Sequence, residues 1–186
     1  DRMGRGGIYD HLGGGFHRYS TDNQWLVPHF EKMLYDNALL AWTYLEAYQI
    51  TGKRMYSDIV RGILDYVLSE MTNSQGGFYS AQDAGEVGEE GAFYVWHTSE
   101  LRKLLNPQEF SLFEKVYGLG EPNNFEDDAY ILNLQDEYGW EIKANPLIRS
   151  AHHKLLAARQ ARPSPLKDDK ILTAWNGLMI AAMAAA

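Results

Sequence analysis

His29, Lys32, Asp36 and Asn37 are the densest group of chemically capable side chains in an otherwise apolar stretch. Read as a helix turning 100° per residue, they fall within an arc of about 140° that also holds Met33. Imidazole, amine and carboxylate on one face form an acid–base set that could line a pocket. The same spacing has a plainer explanation, a Lys32–Asp36 ion pair one turn apart with His29 at the helix start. Elsewhere, aromatic rings lie beside hydrogen-bonding or charged groups in a repeated combination: Tyr19 with His17 and Arg18, Tyr35 with Asp36 and Asn37, Tyr79 with Asp83, Trp175 with Asp169 and Asn176. Sugar rings pack their C–H faces on aromatics while polar groups take the hydroxyls, so the expected ligand is a small sugar-like molecule.

Other patterns fail on missing parts. His29-Phe30-Glu31 matches half of a zinc-deaminase signature, but the chain has no cysteine to complete the metal site. Gly4, Gly6, Gly7 and Gly13 to Gly15 lack the Lys-Ser/Thr or the G-x-G-x-x-G spacing of a phosphate cradle, and read as backbone turns. Asp83, Glu86, Glu89 and Glu90 do not fit a calcium loop, and a solvated acidic turn is expected. His152 and His153 point about 100° apart on a helix and are expected at the surface. No metal and no cofactor is expected.

The elements that position these residues read as helical hairpins. A first helix is expected from Pro28 to about Gly52, apolar nearly all round and therefore buried. A one-sided helix from about Arg54 to Met71 follows, and the tight Thr51-Gly52-Lys53 connection makes the two an inner and outer antiparallel pair. The aromatic runs at Phe78 to Asp83 and Ala92 to Trp96, around the loop from Ala84 to Gly91, read as an inserted β-hairpin. Thr98 caps a short helix, and Asn106-Pro107-Gln108-Glu109 has the composition of a capping box. Tyr130 to Leu134 reads as a strand, Pro146 to about Ala161 as an amphipathic helix, and the last helix starts near Asp168 or Asp169.

Composition sets the outer bounds. The 186 residues are 45% apolar, 13% aromatic and 23% charged, the range of an ordinary globular chain. Seventeen basic residues scattered among twenty-five acidic ones, a net charge of -8, argue against nucleic acid and anionic membrane as partners. No run reaches the roughly 18 apolar residues of a membrane span.

Four runs carry a resemblance: Gly6 to Ser20 (GGIYDHLGGGFHRYS), Trp25 to Ala38 (WLVPHFEKMLYDNA), Gly77 to Ala84 (GFYSAQDA) and Asp168 to Leu178 (DDKILTAWNGL). Together they resemble the spermatogenesis-associated protein 20 family of thioredoxin-domain-containing (DUF255, YyaL-like) proteins, the match being looser from Thr98 to Pro165. Where that family reads Asn-Phe-Glu-Gly-Lys-Asn, this chain has Asn124-Phe125-Glu126-Asp127-Asp128-Ala129. The resemblance implies an all-α fold, a partial (α/α)6 toroid of helical hairpins similar to N-acylglucosamine 2-epimerases and several glycosidases, with the small β-hairpin inserted. It also implies that residues 1–186 are one toroid domain truncated at both ends, from a cytoplasmic parent whose N-terminal thioredoxin-like domain lies outside this chain. In a 2-epimerase, His29 or His11 would remove the proton beside the carbonyl, and Arg18 or Lys32 would steady the enolate oxygen. In a glycosidase, two of Asp36, Asp83 and Asp169 would be acid and base or nucleophile. The rival is a non-catalytic domain that binds a ligand or scaffolds the thioredoxin-like neighbour, its polar residues merely satisfying one another.

Overall fold

The computed structural model describes residues 1–86, 89–120 and 122–186; Val87 and Gly88 of the expected acidic loop, and Glu121, lie outside the described residues. Among the described residues are helices α1 (Arg2–Arg5), α2 (Leu34–Thr51), α3 (Arg54–Glu70), α4 (Thr98–Leu104), α5 (Pro107–Tyr117), α6 (Gly139–Ile142), α7 (Pro146–Gln160) and α8 (Thr173–Ala185). Seven two-residue strands accompany them: β1 (Tyr19–Ser20), β2 (Pro28–His29), β3 (Lys32–Met33), β4 (Ala81–Gln82), β5 (Trp96–His97), β6 (Ala129–Tyr130) and β7 (Lys167–Asp168). The chain is helical in bulk, but three small antiparallel sheets, β1-β2, β3-β4-β7 and β5-β6, set its loops, so all-α describes only part of it.

α2 and α3 form the expected hairpin. Gly52 closes α2 in the left-handed conformation, its N–H donating to the Tyr48 carbonyl, which is how a helix ends without a Cβ penalty. α3 buries one stripe, Ile59, Val60, Ile63, Tyr66 and Val67, and α2 packs against α3 on one side and α8 on the other. α2 is not covered all round as expected, since Leu39, Trp42 and Ile50 stay exposed.

The first helix begins six residues later than its periodicity predicts. Pro28 to Met33 runs as β2 and β3, because those residues pair with Tyr19–Ser20 and with Ala81–Gln82. Hydrogen bonds to distant strands outweigh the local helical pattern. His29, Lys32 and Asp36 therefore do not share a helix face, and the expected Lys32–Asp36 pair does not form. The expected β-hairpin is also re-paired: Ala81–Gln82 bonds to β3 and β7, and Trp96–His97 to Ala129–Tyr130. The Tyr130 to Leu134 strand shortens to Ala129–Tyr130. Thr98 gives no side-chain cap, whereas Asn106 and Glu109 complete a capping box. α8 starts at Thr173, past the two aspartates.

One device occurs twice. Asn37, in the first turn of α2, accepts from the Phe16 N–H at 2.7 Å and donates to the Phe16 and Met33 carbonyls. Asn176, in the first turn of α8, does the same with the Phe78 N–H at 2.8 Å and the Phe78 and Leu172 carbonyls. Each phenylalanine follows a Gly-Gly pair, so the hairpins repeat a Gly-Gly-Phe loop clasped by an asparagine. Gly14 turns with φ +75°, and a Cβ there would sit 2.1 Å from the Gly62 carbonyl oxygen. Gly14→Ala should therefore destabilise the fold by more than about 2 kcal/mol, visible as a lower urea midpoint at unchanged slope.

Candidate functional site

The candidate residues separate into a buried set and an open set. The buried set gathers round Asp10. Its carboxylate takes Lys32 Nζ at 2.8 Å on one oxygen and Arg159 on the other at 2.8 Å, across 149 residues of chain. Lys32 also donates to the Gly14 carbonyl and stands 4.2 Å over the Tyr66 ring. Burial alone would raise the Asp10 pKa, but Arg159 and Lys32 overcome it and hold the carboxyl well below its usual range. Lys32, 1% exposed, is lowered to about 8, burial outweighing the attraction of Asp10.

His11 and His17 belong to the same interior. The Nε2 of His11 faces the Arg5 and Gly6 carbonyls, so it carries the proton, and Nδ1 accepts from Lys143 at 3.2 Å. His17 Nδ1 meets the Phe30 carbonyl at 2.8 Å, and burial lowers its pKa to about 3. With Asn37 and Asn176 already spent on clasps, five of the expected ligand-contacting residues (His11, His17, Lys32, Asn37 and Asn176) are interior groups satisfied by protein. Of the two histidines expected at the surface, His153 is exposed, whereas His152 is half-buried and hydrogen-bonds the Tyr117 hydroxyl at 2.7 Å, and burial lowers its pKa to about 3.

The open set lies where β1, β2 and β3 reach the start of α2. Arg18 donates to Glu31 at 2.9 Å and also reaches Tyr35. His29 stacks on Tyr19 with centroids 5.0 Å apart, its two nitrogens 3.7 Å from the Glu31 and Glu90 carboxylates. Tyr35 meets Trp175 edge to face at 4.7 Å, joining the first turns of α2 and α8. In the first turn of α2 Asp36 is half-buried, and its Oδ2 is shut from water without a hydrogen-bond partner. Burial raises its pKa, Arg18 opposing and Glu31 reinforcing the shift. An unpartnered, hard-to-ionise carboxylate beside a guanidinium is the arrangement a proton-transfer group needs.

The other two carboxylates adjoin the β3-β4-β7 sheet, Asp83 just after β4 and Asp169 just after β7. Lys32 faces Gln82 and Ala81 faces Asp168, so the register sets Asp83 beside Glu31 and Asp169 beyond Asp168. Asp83 is exposed and accepts from its neighbour, the Ala84 N–H, while Asp169 is exposed and Asp168 binds Lys170. Tyr79 is half-buried against the Met71 and Phe78 cluster. Three concavities are lined by other residues, apart from Glu90 beside His29. One of about 420 Å³ is bounded by Lys53, Met55 and Trp140, one of about 500 Å³ by Arg2, Arg5 and Asn133, and one of about 360 Å³ by Glu90, Phe125 and Arg162. Asp10 and Arg159 in the interior and Glu31 at the open face carry no local sequence signal, since their partners are remote. No group of three or more His, Asp or Glu able to hold a metal occurs among the described residues, and no helix of the described residues is long and apolar enough to cross a membrane.

No protein-family model matches the chain. Spermatogenesis-associated protein 20 of Homo sapiens is 42% identical over 98% of this chain and 27% of its own length. The protein of the same name from Mus musculus is 42% identical with the same coverage. The chain thus spans about a quarter of the length of the curated relatives it matches. Among solved structures, a D-mannose isomerase superposes with a TM-score of 0.38 at 14% identity, over 96% of this chain and 43% of that one, too loosely to decide fold or function. Over the segment it spans, the chain belongs to the spermatogenesis-associated protein 20 family.

Proposed function

We propose that the open face is a carbohydrate-directed pocket on part of an (α/α)6 toroid, with Asp36 as its proton-transferring carboxylate. The toroid reading is supported by two inner helices, α2 and α8, lying side by side, each clasped at its start by the same asparagine device, with α3 as an outer layer. The pocket reading rests on Asp36, a carboxylate kept half-buried with one oxygen unpaired, where burial favours its protonated form. Native folds rarely leave such a group unsatisfied without use. Around it the Tyr35–Trp175 and Tyr19–His29 pairs offer ring faces, and Arg18 offers a fixed cation.

Two reactions fit these parts. In a sugar 2-epimerase or isomerase, His29 and Asp36 exchange the proton beside the carbonyl while Arg18 steadies the enolate oxygen. In a glycoside hydrolase, Asp36 pairs with Asp83 or Asp169 as acid and base. The thioredoxin-like domain in the same parent chain and the cytoplasmic location are part of the same proposal. A second, non-catalytic reading has its own support: the concavities lie away from Asp36, and Trp175 packs onto Tyr35, as expected of a ligand-binding or scaffold domain.

The test is a panel of aldoses and disaccharides against the wild-type chain, Asp36→Asn and His29→Gln. Turnover or saturable binding lost at least about a hundredfold in Asp36→Asn is the expected result. Its thermal midpoint should equal or exceed that of the wild type at neutral pH, because a carboxyl whose pKa is raised by folding contributes in full below its unfolded pKa and loses that contribution as pH rises through the folded one. Binding without turnover selects the second reading, and neither binding nor turnover by any protein removes the carbohydrate proposal.

A further inference from the structure

On the far side of the Gly6 turn, α1, the loop before β2 and the segment after β6 enclose a cleft of about 500 Å³. Its polar walls are Arg2, Arg5, Asn23, Gln24, Asn133 and Gln135, and no acidic residue lines it. That composition is out of keeping with a chain of net charge -8. Arg2 and Arg5 stand one turn apart on α1, and neither has a carboxylate within ion-pair distance among the described residues. Arg5 Nε is buried with no hydrogen-bond partner.

The nearby carboxylates are committed elsewhere. Asp22 turns into its own loop, accepting from the Gln24, Leu26 and Val27 N–H groups. Asp1 binds Lys53 and the Tyr56 hydroxyl, and Asp136 accepts from the Gly139 N–H. The walls are fixed by main-chain bonds, the Leu134 N–H to the Arg5 carbonyl at 2.8 Å and the Ile8 N–H to the Trp25 carbonyl at 3.2 Å.

The geometry points to a binding site for a small phosphomonoester in this cleft, separate from the Asp36 face. Two guanidinium groups match a phosphate dianion in charge and in planar, forked donors. The four amides are neutral donors and acceptors of the kind that take the hydroxyls of an attached polyol, and the volume lies in the range of small-ligand sites.

Calorimetric titration of the 186-residue chain with glycerol 2-phosphate and with inorganic phosphate, at 0.15 M chloride with glycerol as the uncharged control, tests the proposal. Saturable binding of both anions with a dissociation constant at or below about 1 mM, and none of glycerol, is expected. Arg2→Gln/Arg5→Gln should weaken it at least about tenfold, while Arg5→Lys keeps part of it. Asn133→Asp leaves both arginines in place and adds a carboxylate to the same cleft, so it should abolish binding in a chain that stays folded even though the Asn133 bond to the Ile131 carbonyl is lost, which keeps the test decisive if an arginine variant folds poorly. Asp36→Asn should bind both anions as the wild type does, whatever becomes of the carbohydrate reading. No saturable binding by the wild type, or binding that survives both Asn133→Asp and the double arginine variant, overturns the site.

Discussion

Replacing Asp10 by alanine should cost about 3–5 kcal/mol, a large share of the stability of a chain this size. The loss is not that of one ion pair. Among the described residues Asp10 is the only acid bonded to Lys32 and Arg159, and both are at most 5% exposed. Without it two cations are buried unpaired. Lys32, already lowered to about 8, can shed its proton, but a guanidinium cannot, so Arg159 sets the penalty. Adding Lys32→Met to Asp10→Ala should return part of the lost stability, and urea unfolding of the four proteins of that cycle gives the coupling directly. Independent, additive losses would show that the cluster does not act as a unit. The sign of its pH dependence is fixed: the folded pKa of Asp10 lies below its unfolded value of about 3.9, so its contribution is complete above that pH and is lost as pH falls through the folded value.

Acid should act on the fold well before that. His17 and His152 are both lowered to about 3 by burial, against about 6.5 unfolded, and His11 is lowered well below its ordinary value. Each is neutral in the folded chain and takes up a proton on unfolding. Stability is therefore full above about pH 6.5 and declines as pH falls toward 3, each histidine steepening the slope toward about 1.4 kcal/mol per pH unit. His17→Gln should flatten the decline between pH 6 and 4, whatever it does to stability at pH 8. A decline of the same steepness in that variant would show that His17 does not titrate with unfolding.

What the sequence revealed, and what it hid, follows from how far apart the interacting residues are. The capping box at Asn106 and Glu109, the left-handed Gly52 and the one-sided stripe of α3 are settled within a few residues, and each was readable. Pro28 to Met33 was not, because the strand that pairs with Lys32 and Met33 stands up to 50 positions away, at Gln82, and a short apolar run suits helix and strand alike. The Asp10–Lys32–Arg159 cluster spans 149 positions and leaves no local pattern. Lys32 and Asn37 looked like pocket residues because polar groups in apolar surroundings need partners, and the partners proved to be protein. The Gly-Gly-Phe repeat was visible in the sequence at Phe16 and Phe78, but its meaning depends on the asparagines that clasp it.

The proposed function stands on Asp36 being an unsatisfied carboxylate held for chemistry on an open face. A carbon-13 titration of its side-chain carboxyl, without and with a saturating monosaccharide, reads this directly. The expected result is a midpoint above the ordinary aspartate value of 3.8, a shift in that midpoint on adding the sugar, and perturbed signals at Arg18, His29, Tyr35 and Trp175. An Asp36 that titrates at or below 3.8 and does not respond to any sugar would contradict it.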